Sequence, residues 1–149
     1  AIPRADRWVV GNMEGDGITA IDLDAVRSGP GGRFPDAATA VELGTPTAFT
    51  DLRPDGGLLA VDAYEDDRVT FLDPVTLDEV ARVRTGGVPH HPRFSADGRV
   101  CYVPNQEADT VSVLDTATVE SEQSTVPLVT EISLPADAAP SGCFRTDRR

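Results

Sequence analysis

The sequence predicts an all-β fold, a β-propeller built of four-stranded antiparallel blades, of which about three are present. The first reason is an internal repeat of 42 residues, which is the length of one propeller blade. The second is that the repeat consists of short runs rich in β-branched and aromatic residues, separated by Asp-Gly, Gly-Gly and Asp-Pro turns. The third is that no ten-residue stretch has the apolar spacing of a helix.

The repeat is clearest between residues 44–73 and 86–115. Asp55-Gly56 corresponds to Asp97-Gly98, and Val69–Asp73 corresponds to Val111–Asp115, both at an offset of 42 residues. A more divergent copy at residues 4–22 matches the second at an offset of 51 residues. The additional residues fall in the Gly- and Pro-rich stretch 24–38, which is therefore expected to be a loop.

The repeat divides residues 1–149, taken as a single propeller segment, into four parts. Residues 1–44 supply strands B, C and D of one blade, residues 45–87 and 88–136 each form a blade, and residues 137–149 supply the first strand of a further blade. The predicted strands are 7–11, 18–21 and 40–43; then 48–53, 58–63, 68–72 and 80–84; then 93–95, 99–103, 110–114 and 129–134. Since neighbouring blades cover both faces of a blade, these strands should be almost continuously apolar.

An open arc of three blades would leave an apolar face at each end. At roughly 400 Å² and about 25 cal/mol/Å², each uncovered face forgoes about 10 kcal/mol, which rivals a typical total stability. We therefore expect one of two arrangements. Either the chain is an excerpt of a larger propeller, or two or more chains complete a ring.

Part of the third repeat carries a family resemblance. Tyr102-Val103-Pro104-Asn105, followed by Val111–Asp115, resembles the YVTN β-propeller repeat; the other copies, Val9–Asn12 and Ala60–Ala63, are degenerate. Pro104 stands where the motif has threonine, and because proline lacks a backbone donor we expect a strand end or a bulge there. The resemblance implies a propeller fold and an exported, periplasmic or extracellular protein.

Composition and charge exclude several classes of function. The net charge of -12 disfavours nucleic acid and anionic membrane surfaces as partners, and no apolar run is long enough for membrane insertion. Cys101 and Cys143 lack metal-ligand spacing, and Cys101 is expected to be a small core residue. A bridge between the two cysteines is conceivable, but their spacing does not establish it. The sequence has no P-loop and no GxGxxG motif, and it predicts no metal or cofactor.

His90 and His91 are the chain's two histidines, and they come directly before strand A of the third blade. That strand lines the channel of a propeller, so imidazoles at its mouth could bind a metal, a haem or an anionic substrate. The second repeat has Ala48 and Phe49 here, so the repeat does not require histidine. Adjacent strand residues point to opposite faces, so both should not ligate one ion. The family resemblance nevertheless implies a functional role, because relatives of this fold place histidines near the channel mouth as ligands to copper or to a d1-type haem.

Acidic residues recur in the turn between strands B and C. The equivalent positions are Glu14, Glu65 and Glu107, and Asp16, Asp67 and Asp109. A calcium site needs six to eight oxygens at one place, whereas these carboxylates are spread around the arc. They are predicted to cap backbone N–H groups in solvated turns, and Asp22, Asp73 and Asp115 are predicted to form the turns after strand C.

The residues leave more than one function open. The leading hypothesis is a non-catalytic binding or interaction scaffold, part of a larger exported propeller, with an unknown ligand or protein at the channel mouth. Resemblance to lactonase propellers implies a hydrolase alternative, and a metal- or haem-associated redox propeller is another. No catalytic residue is assigned, and the enzyme question stays open. The candidate ligand-binding residues are His90, His91, Arg93, Tyr102, Asn105 and Glu107, with Arg93 suited to hold an anion.

Overall fold

A computed structural model describes residues 6–29, 35–117, 119 and 126–135. Its strands form three antiparallel sheets. The first sheet contains β1 (Arg7–Asn12), β2 (Gly17–Asp22) and β3 (Ala38–Glu42), with helix α1 (Leu23–Ser28) and a 3-10 turn (Pro35–Ala37) between β2 and β3. The second contains β4 (Thr50–Leu52), β5 (Leu59–Ala63), β6 (Arg68–Leu72) and β7 (Glu79–Arg84), and the third contains β8 (Arg93–Phe94), β9 (Val100–Asn105), β10 (Thr110–Asp115) and β11 (Leu128–Ser133).

The predicted fold class is confirmed. In both four-stranded sheets the strands lie side by side in chain order, as in a propeller blade, and the first sheet has the predicted strands B, C and D. The strand predicted within residues 137–149 lies outside the described residues. The completion of a ring stays a prediction.

One local expectation was wrong, and the strand end expected at Pro104 comes one residue later. The stretch 24–38 is not entirely loop, because the six-residue helix α1 begins after Asp22, whose carboxylate accepts a hydrogen bond from the Ala25 amide at 2.9 Å and caps the first turn. Pro104 causes no bulge, since β9 and β10 keep one register through it and β9 ends at the next residue. The missing N–H of Pro104 is not needed on its other side, because β8 does not pair with β9 at that residue. The Pro104 carbonyl still accepts a hydrogen bond from His90 N at 2.9 Å.

The turns after Asp73 and Asp115 form as predicted, whereas Asp22 caps helix α1. Their Asp side chains accept hydrogen bonds from backbone amides two or three residues further on. The bonds run from Ala25 N to Asp22, from Val75 N and Thr76 N to Asp73, and from Ala117 N to Asp115. These aspartates are therefore part of the scaffold.

Two apolar cores hold the blades together. One, between the first and second blades, contains Ile18, Ala20, Leu43, Leu59, Val61, Leu72 and Leu77. The other, between the second and third blades, contains Leu58, Ala60, Val69, Phe71, Val80, Ala81, Val83, Cys101, Val103, Leu114, Val119 and Val126. The second blade contributes to both, so every residue of β5 and all but the first of β6 are buried. Cys101 is a core residue, as expected.

The outward faces of the end blades are partly apolar and exposed. Trp8 is 54% exposed and Val10 is 37% exposed, although they occupy the repeat positions of the buried Leu59 and Val61. At the other end Tyr102, on the outward face of β9, is 43% exposed. Each end face thus retains the side chains with which an inner blade packs against its neighbour.

The connections between strands place one set of loops on a common face. In each blade the residue after strand D donates its amide to a carbonyl in the acidic B–C turn. These bonds join Leu43 to Asp16 at 2.8 Å, Thr85 to Asp67 at 2.9 Å and Leu134 to Asp109 at 2.9 Å. The segments that lead from strand D to the next strand A, residues 43–49 and 85–92, therefore lie against the B–C turns. None of the helices among the described residues has the length and apolar character that crossing a membrane requires.

Replacement of Phe71 by alanine should destabilise the chain by about 3 to 5 kcal/mol, because the ring is completely buried between two blades and the truncation leaves a cavity. Met13→Ala is the control, since Met13 is 60% exposed, and it should change the free energy of unfolding by less than about 0.5 kcal/mol. Urea denaturation measures both. A loss below about 1 kcal/mol for Phe71→Ala would contradict the packing of these blades.

Candidate functional site

The connection between the second and third blades has an unusual backbone. Val88 has a φ of 53° and His91 a φ of 50°, both in the left-handed region, which is unfavourable for a β-branched valine in particular. Their repeat equivalents in the second blade, Pro46 and Phe49, have negative φ. Such strain persists only where surrounding contacts impose it, and it is concentrated at functional sites.

Hydrogen bonds from two blades hold this segment in place. Within residues 86–92, the Val88 amide donates to the Asp67 carboxylate at 3.0 Å, and the His90 amide donates to the Pro104 carbonyl at 2.9 Å. The Gly87 and Val88 carbonyls accept from the amides of Glu107 at 3.1 Å and Gln106 at 2.9 Å. The segment is therefore fixed between the B–C turns of the second and third blades. Asp67 thus bonds a backbone N–H of the neighbouring connection, whereas the prediction placed such a bond within its own turn.

Both imidazoles contact the ring of Phe49. The expectation that adjacent residues would point to opposite faces was wrong, because His91 is left-handed and not extended. Its ring stacks on Phe49 with centroids 3.5 Å apart, and the His90 ring lies 5.5 Å from Phe49, 5.7 Å from Tyr64 and 6.1 Å from His91. We call His90, His91, Phe49 and Tyr64 the histidine shelf. The Tyr64 hydroxyl donates to the Met13 carbonyl at 2.9 Å, which connects the shelf to the first blade.

A buried carboxylate lies next to the shelf. Asp62, on β5, has no exposed surface, and its Oδ1 atom accepts hydrogen bonds from Ala48 N at 2.7 Å and Phe49 N at 2.9 Å. Burial raises the pKa of Asp62 to about 6, although hydrogen bonds from the backbone of Phe49, Ala48 and His91 and the charge of His91 act in the opposite direction. The other oxygen, Oδ2, is buried without a hydrogen-bond partner among the described residues.

The electrostatics of the shelf favour an uncharged His90. Its side chain is half-buried, and burial, followed by the charge of His91, lowers its pKa. At neutral pH the His90 ring is therefore neutral, with one nitrogen that donates and one that accepts. Glu65 and Glu107, in the adjoining turns, are exposed carboxylates. The neighbourhood offers aromatic surface and two exposed carboxylates, against which stands the charge of His91.

Asn105 belongs to the scaffold. Its side chain has no exposed surface, and Nδ2 donates to the Thr110 hydroxyl at 2.9 Å and the Ser112 hydroxyl at 2.8 Å. The first blade repeats the arrangement with Asn12 and Thr19 at 3.1 Å. The prediction that Asn105 contacts a ligand therefore has no support in the structure, because the residue is inaccessible and serves the blade.

The remaining predicted residues lie around the shelf or away from it. Arg93 is exposed and forms an ion pair with Asp51 at 3.3 Å. Glu107 is exposed in its turn, and Tyr102 lies on the outward face of the third blade. Three contributors were missed, namely Phe49, Tyr64 and Asp62. The repeat contained a signal for Asp62, since the equivalent residues Gly11 and Pro104 cannot ionise.

Metal and thiol chemistry find little support in the part of the chain that the structure describes. No three His, Cys, Asp or Glu side chains gather there as a set of ligands. Cys101 is completely buried, and burial raises the pKa of its thiol to about 12, so it stays protonated and unreactive. Cys143 lies outside the described residues, and a bridge between the two stays a prediction.

Comparisons with known proteins show the fold. No family model and no curated protein matches the chain. Among solved structures it is similar to the β-propeller domain of Cps50 (Swd1) from Myceliophteria thermophila, with 13% identity and a TM-score of 0.62, covering 85% of this chain and 41% of that one. The chain spans less than half the length of the solved relatives described here.

Two further structural neighbours carry functional names. Dihydro-heme d1 dehydrogenase NirN, solved in complex with DHE, is 28% identical with a TM-score of 0.55, covering 82% of this chain and 24% of that one. A putative 6-phosphogluconolactonase from Bacteroides fragilis is 14% identical with a TM-score of 0.59, covering 87% of this chain and 40% of that one. Propeller neighbours thus include haem-related and lactonase-named proteins. They do not distinguish between functions for this chain.

Ionisation of Asp62 should reduce stability as the pH rises. A carboxyl whose pKa is raised from 3.8 to about 6 on folding contributes stability that is fully present below pH 3.8 and is lost as the pH rises through about 6. The shift corresponds to about 3 kcal/mol. Asp62→Asn removes the ionisable group and should therefore remove this dependence. Urea denaturation between pH 4.5 and 7.5 measures it.

Asp66→Asn, in an exposed turn, is the matched control and should retain the wild-type dependence on pH. If Asp62→Asn and Asp66→Asn showed the same profile, the pH dependence would come from other groups and the account of Asp62 would be wrong.

Proposed function

We propose that the chain is a non-catalytic propeller scaffold that binds a ligand at the histidine shelf. One observation carries the proposal: the segment that contains the left-handed residues Val88 and His91 is held by hydrogen bonds from two blades, and both imidazoles contact the Phe49 ring. The repeat does not require this arrangement, because the second blade makes the same connection without left-handed residues at the equivalent positions.

The ligand that suits the shelf is planar and either neutral or cationic. Four rings supply flat surface for stacking, and aromatic faces attract cations. A neutral His90 contributes no positive charge, Arg93 is already paired with Asp51, and the chain carries a net charge of -12. An anionic substrate, one of the possibilities raised by the sequence, is therefore disfavoured.

A lactonase-like hydrolase is the weaker candidate. It would need His90 and an accessible carboxylate in one cleft, with Asn105 and Glu107 nearby. Asn105 is buried and bonded within its own blade, and Asp62 has no exposed surface. The similarity to a putative 6-phosphogluconolactonase is at 14% identity, which supports the fold and not the activity.

A haem-associated role is supported by one comparison, the 28% identity with NirN. A visible absorption band in the protein purified from its own source would favour it. The absence of such a band, together with no turnover of a panel of lactones, would leave the binding scaffold.

Assignment to the YVTN-type repeat and export to the periplasm or the cell exterior remain part of the proposal. The YVTN-like residues lie on β9 and β10, where the motif places its two strands. We also infer that further blades, from the same chain or from a second copy, cover the outward faces that expose Trp8 and Tyr102.

A pair of planar dyes of opposite charge tests the site. Proflavine, a cation, should bind the chain at least about tenfold more tightly than anthraquinone-2-sulfonate, an anion, in fluorescence or calorimetric titrations at low salt. His90→Ala should weaken proflavine binding about tenfold, because it removes part of the stacking surface. Tyr102→Ala removes an exposed ring on the outward face of the third blade and is the matched control, expected to change affinity less than about twofold.

The reverse result would overturn the proposal. If Tyr102→Ala weakened binding and His90→Ala did not, the ligand would lie on the outward face of the third blade. Tighter binding of the anion would contradict the proposed ligand class.

A further inference from the structure

Asp62 departs from the repeat at the position where the second blade meets the third. In the first blade the equivalent residue is Gly11, where an added Cβ would lie 2.7 Å from the Ala48 carbonyl oxygen, and in the third it is Pro104. Neither neighbour can place a carboxylate at this point. A blade therefore forms without a carboxylate at this position, and the presence of Asp62 must be explained by something specific to the second blade.

The contacts of Asp62 join the two segments that build the shelf. Its carboxylate accepts hydrogen bonds from Ala48 and Phe49 in the connection before β4. In the connection before β8, the backbone of His91 is close enough to the same carboxylate to lower its pKa. Phe49 and His91 are repeat equivalents, and their rings stack at 3.5 Å. One carboxylate thus fixes the backbone of Phe49 and lies close to the backbone of His91, on which Phe49 stacks. A charged acceptor makes stronger bonds to N–H groups than a neutral one.

This arrangement is costly to the fold. A buried carboxylate loses its hydration, and Oδ2 has no partner among the described residues to offset that loss. An apolar or amide side chain at this position would avoid the cost. Side chains that destabilise a fold while holding a strained residue are characteristic of functional sites.

Few other ionisable groups face Asp62. The segment 43–49 contains none, and the β6 residue opposite Asp62 is Val69. The segment before β8 contributes His90 and His91, followed by Arg93, which pairs with Asp51 of β4.

We propose that Asp62 is a positioning residue, whose ionised carboxylate holds His91 in its left-handed conformation and so keeps the two imidazoles together on Phe49. Protonation or loss of this carboxylate releases His91, and the shelf loses its stacked surface. The inference rests on the proposed function for its consequence, ligand binding, but the conformational effect is measurable without any ligand.

Nuclear Overhauser effects between the His91 and Phe49 rings report the stacking directly. With two histidines in the chain, the imidazole signals can be assigned by comparison with His90→Ala. In the wild-type chain at pH 7.5 the cross-peaks should be strong, and they should fall several-fold at pH 4.5. In Asp62→Asn they should be weak at both pH values, and the His91 amide should exchange with solvent at least about tenfold faster.

Two controls keep the test decisive. Asp66→Asn should behave like the wild type at both pH values, and the core signals of Phe71 and Val69 should be unchanged in Asp62→Asn. If Asp62→Asn does not fold, Asp62→Ala, which removes the carboxylate and its buried charge together, takes its place. Cross-peaks that remain equally strong in Asp62→Asn, or in the wild type at both pH values, would overturn the proposal.

Proflavine titration separates this inference from the proposed function. If the cross-peaks depend on Asp62 but proflavine does not bind, the positioning role stands and the function fails. If proflavine binds through His90 with equal affinity in wild type and Asp62→Asn, the function stands and the positioning role is refuted. A loss of about tenfold in affinity in Asp62→Asn, matched by the loss of cross-peaks, supports both.

Discussion

The packing of one blade face on the next is the constraint on which the rest of the structure depends. A single four-stranded sheet of this size buries little, and the strands are stable because each face is covered by a neighbour. The middle blade shows the result, since β5 is buried along its whole length. The same packing brings the connections between blades against the B–C turns. The histidine shelf forms where that contact departs from the repeat.

The fold was predictable because packing of this kind repeats. Equivalent residues meet equivalent neighbours, so the period of 42 residues is visible in the chain and determines strand order and pairing. The failures are local. Helix α1 depends on one capping interaction, by Asp22, within a stretch whose glycines and prolines indicate a loop. Pro104 stays in β9 without a bulge because β8 pairs with β9 only at Tyr102 and Cys101. A residue pattern does not reveal how many residues of two strands pair.

The site was predictable only in part. His90 and His91 stand out because the repeat lacks them, but their geometry depends on a left-handed His91, which sequence periodicity does not reveal. Asn105 looked chemically interesting and proved to be a blade residue like Asn12. Asp62 was hidden in a buried strand, where a carboxylate is unexpected. Departures from the repeat, and not residue type, were the better guide to this site.

Asp62 therefore has two opposite effects, on the stability of the fold and on the position of the shelf residues. The buried charge of Asp62 opposes folding, whereas the bonds it accepts organise Phe49 and His91. The most direct measurement is a carbon-13 titration of the Asp62 carboxyl carbon in the intact chain. The account predicts a midpoint at about pH 6, accompanied by shifts of the His91 amide at the same midpoint. A midpoint near the ordinary value, about 4, or a His91 amide that does not respond, would contradict it.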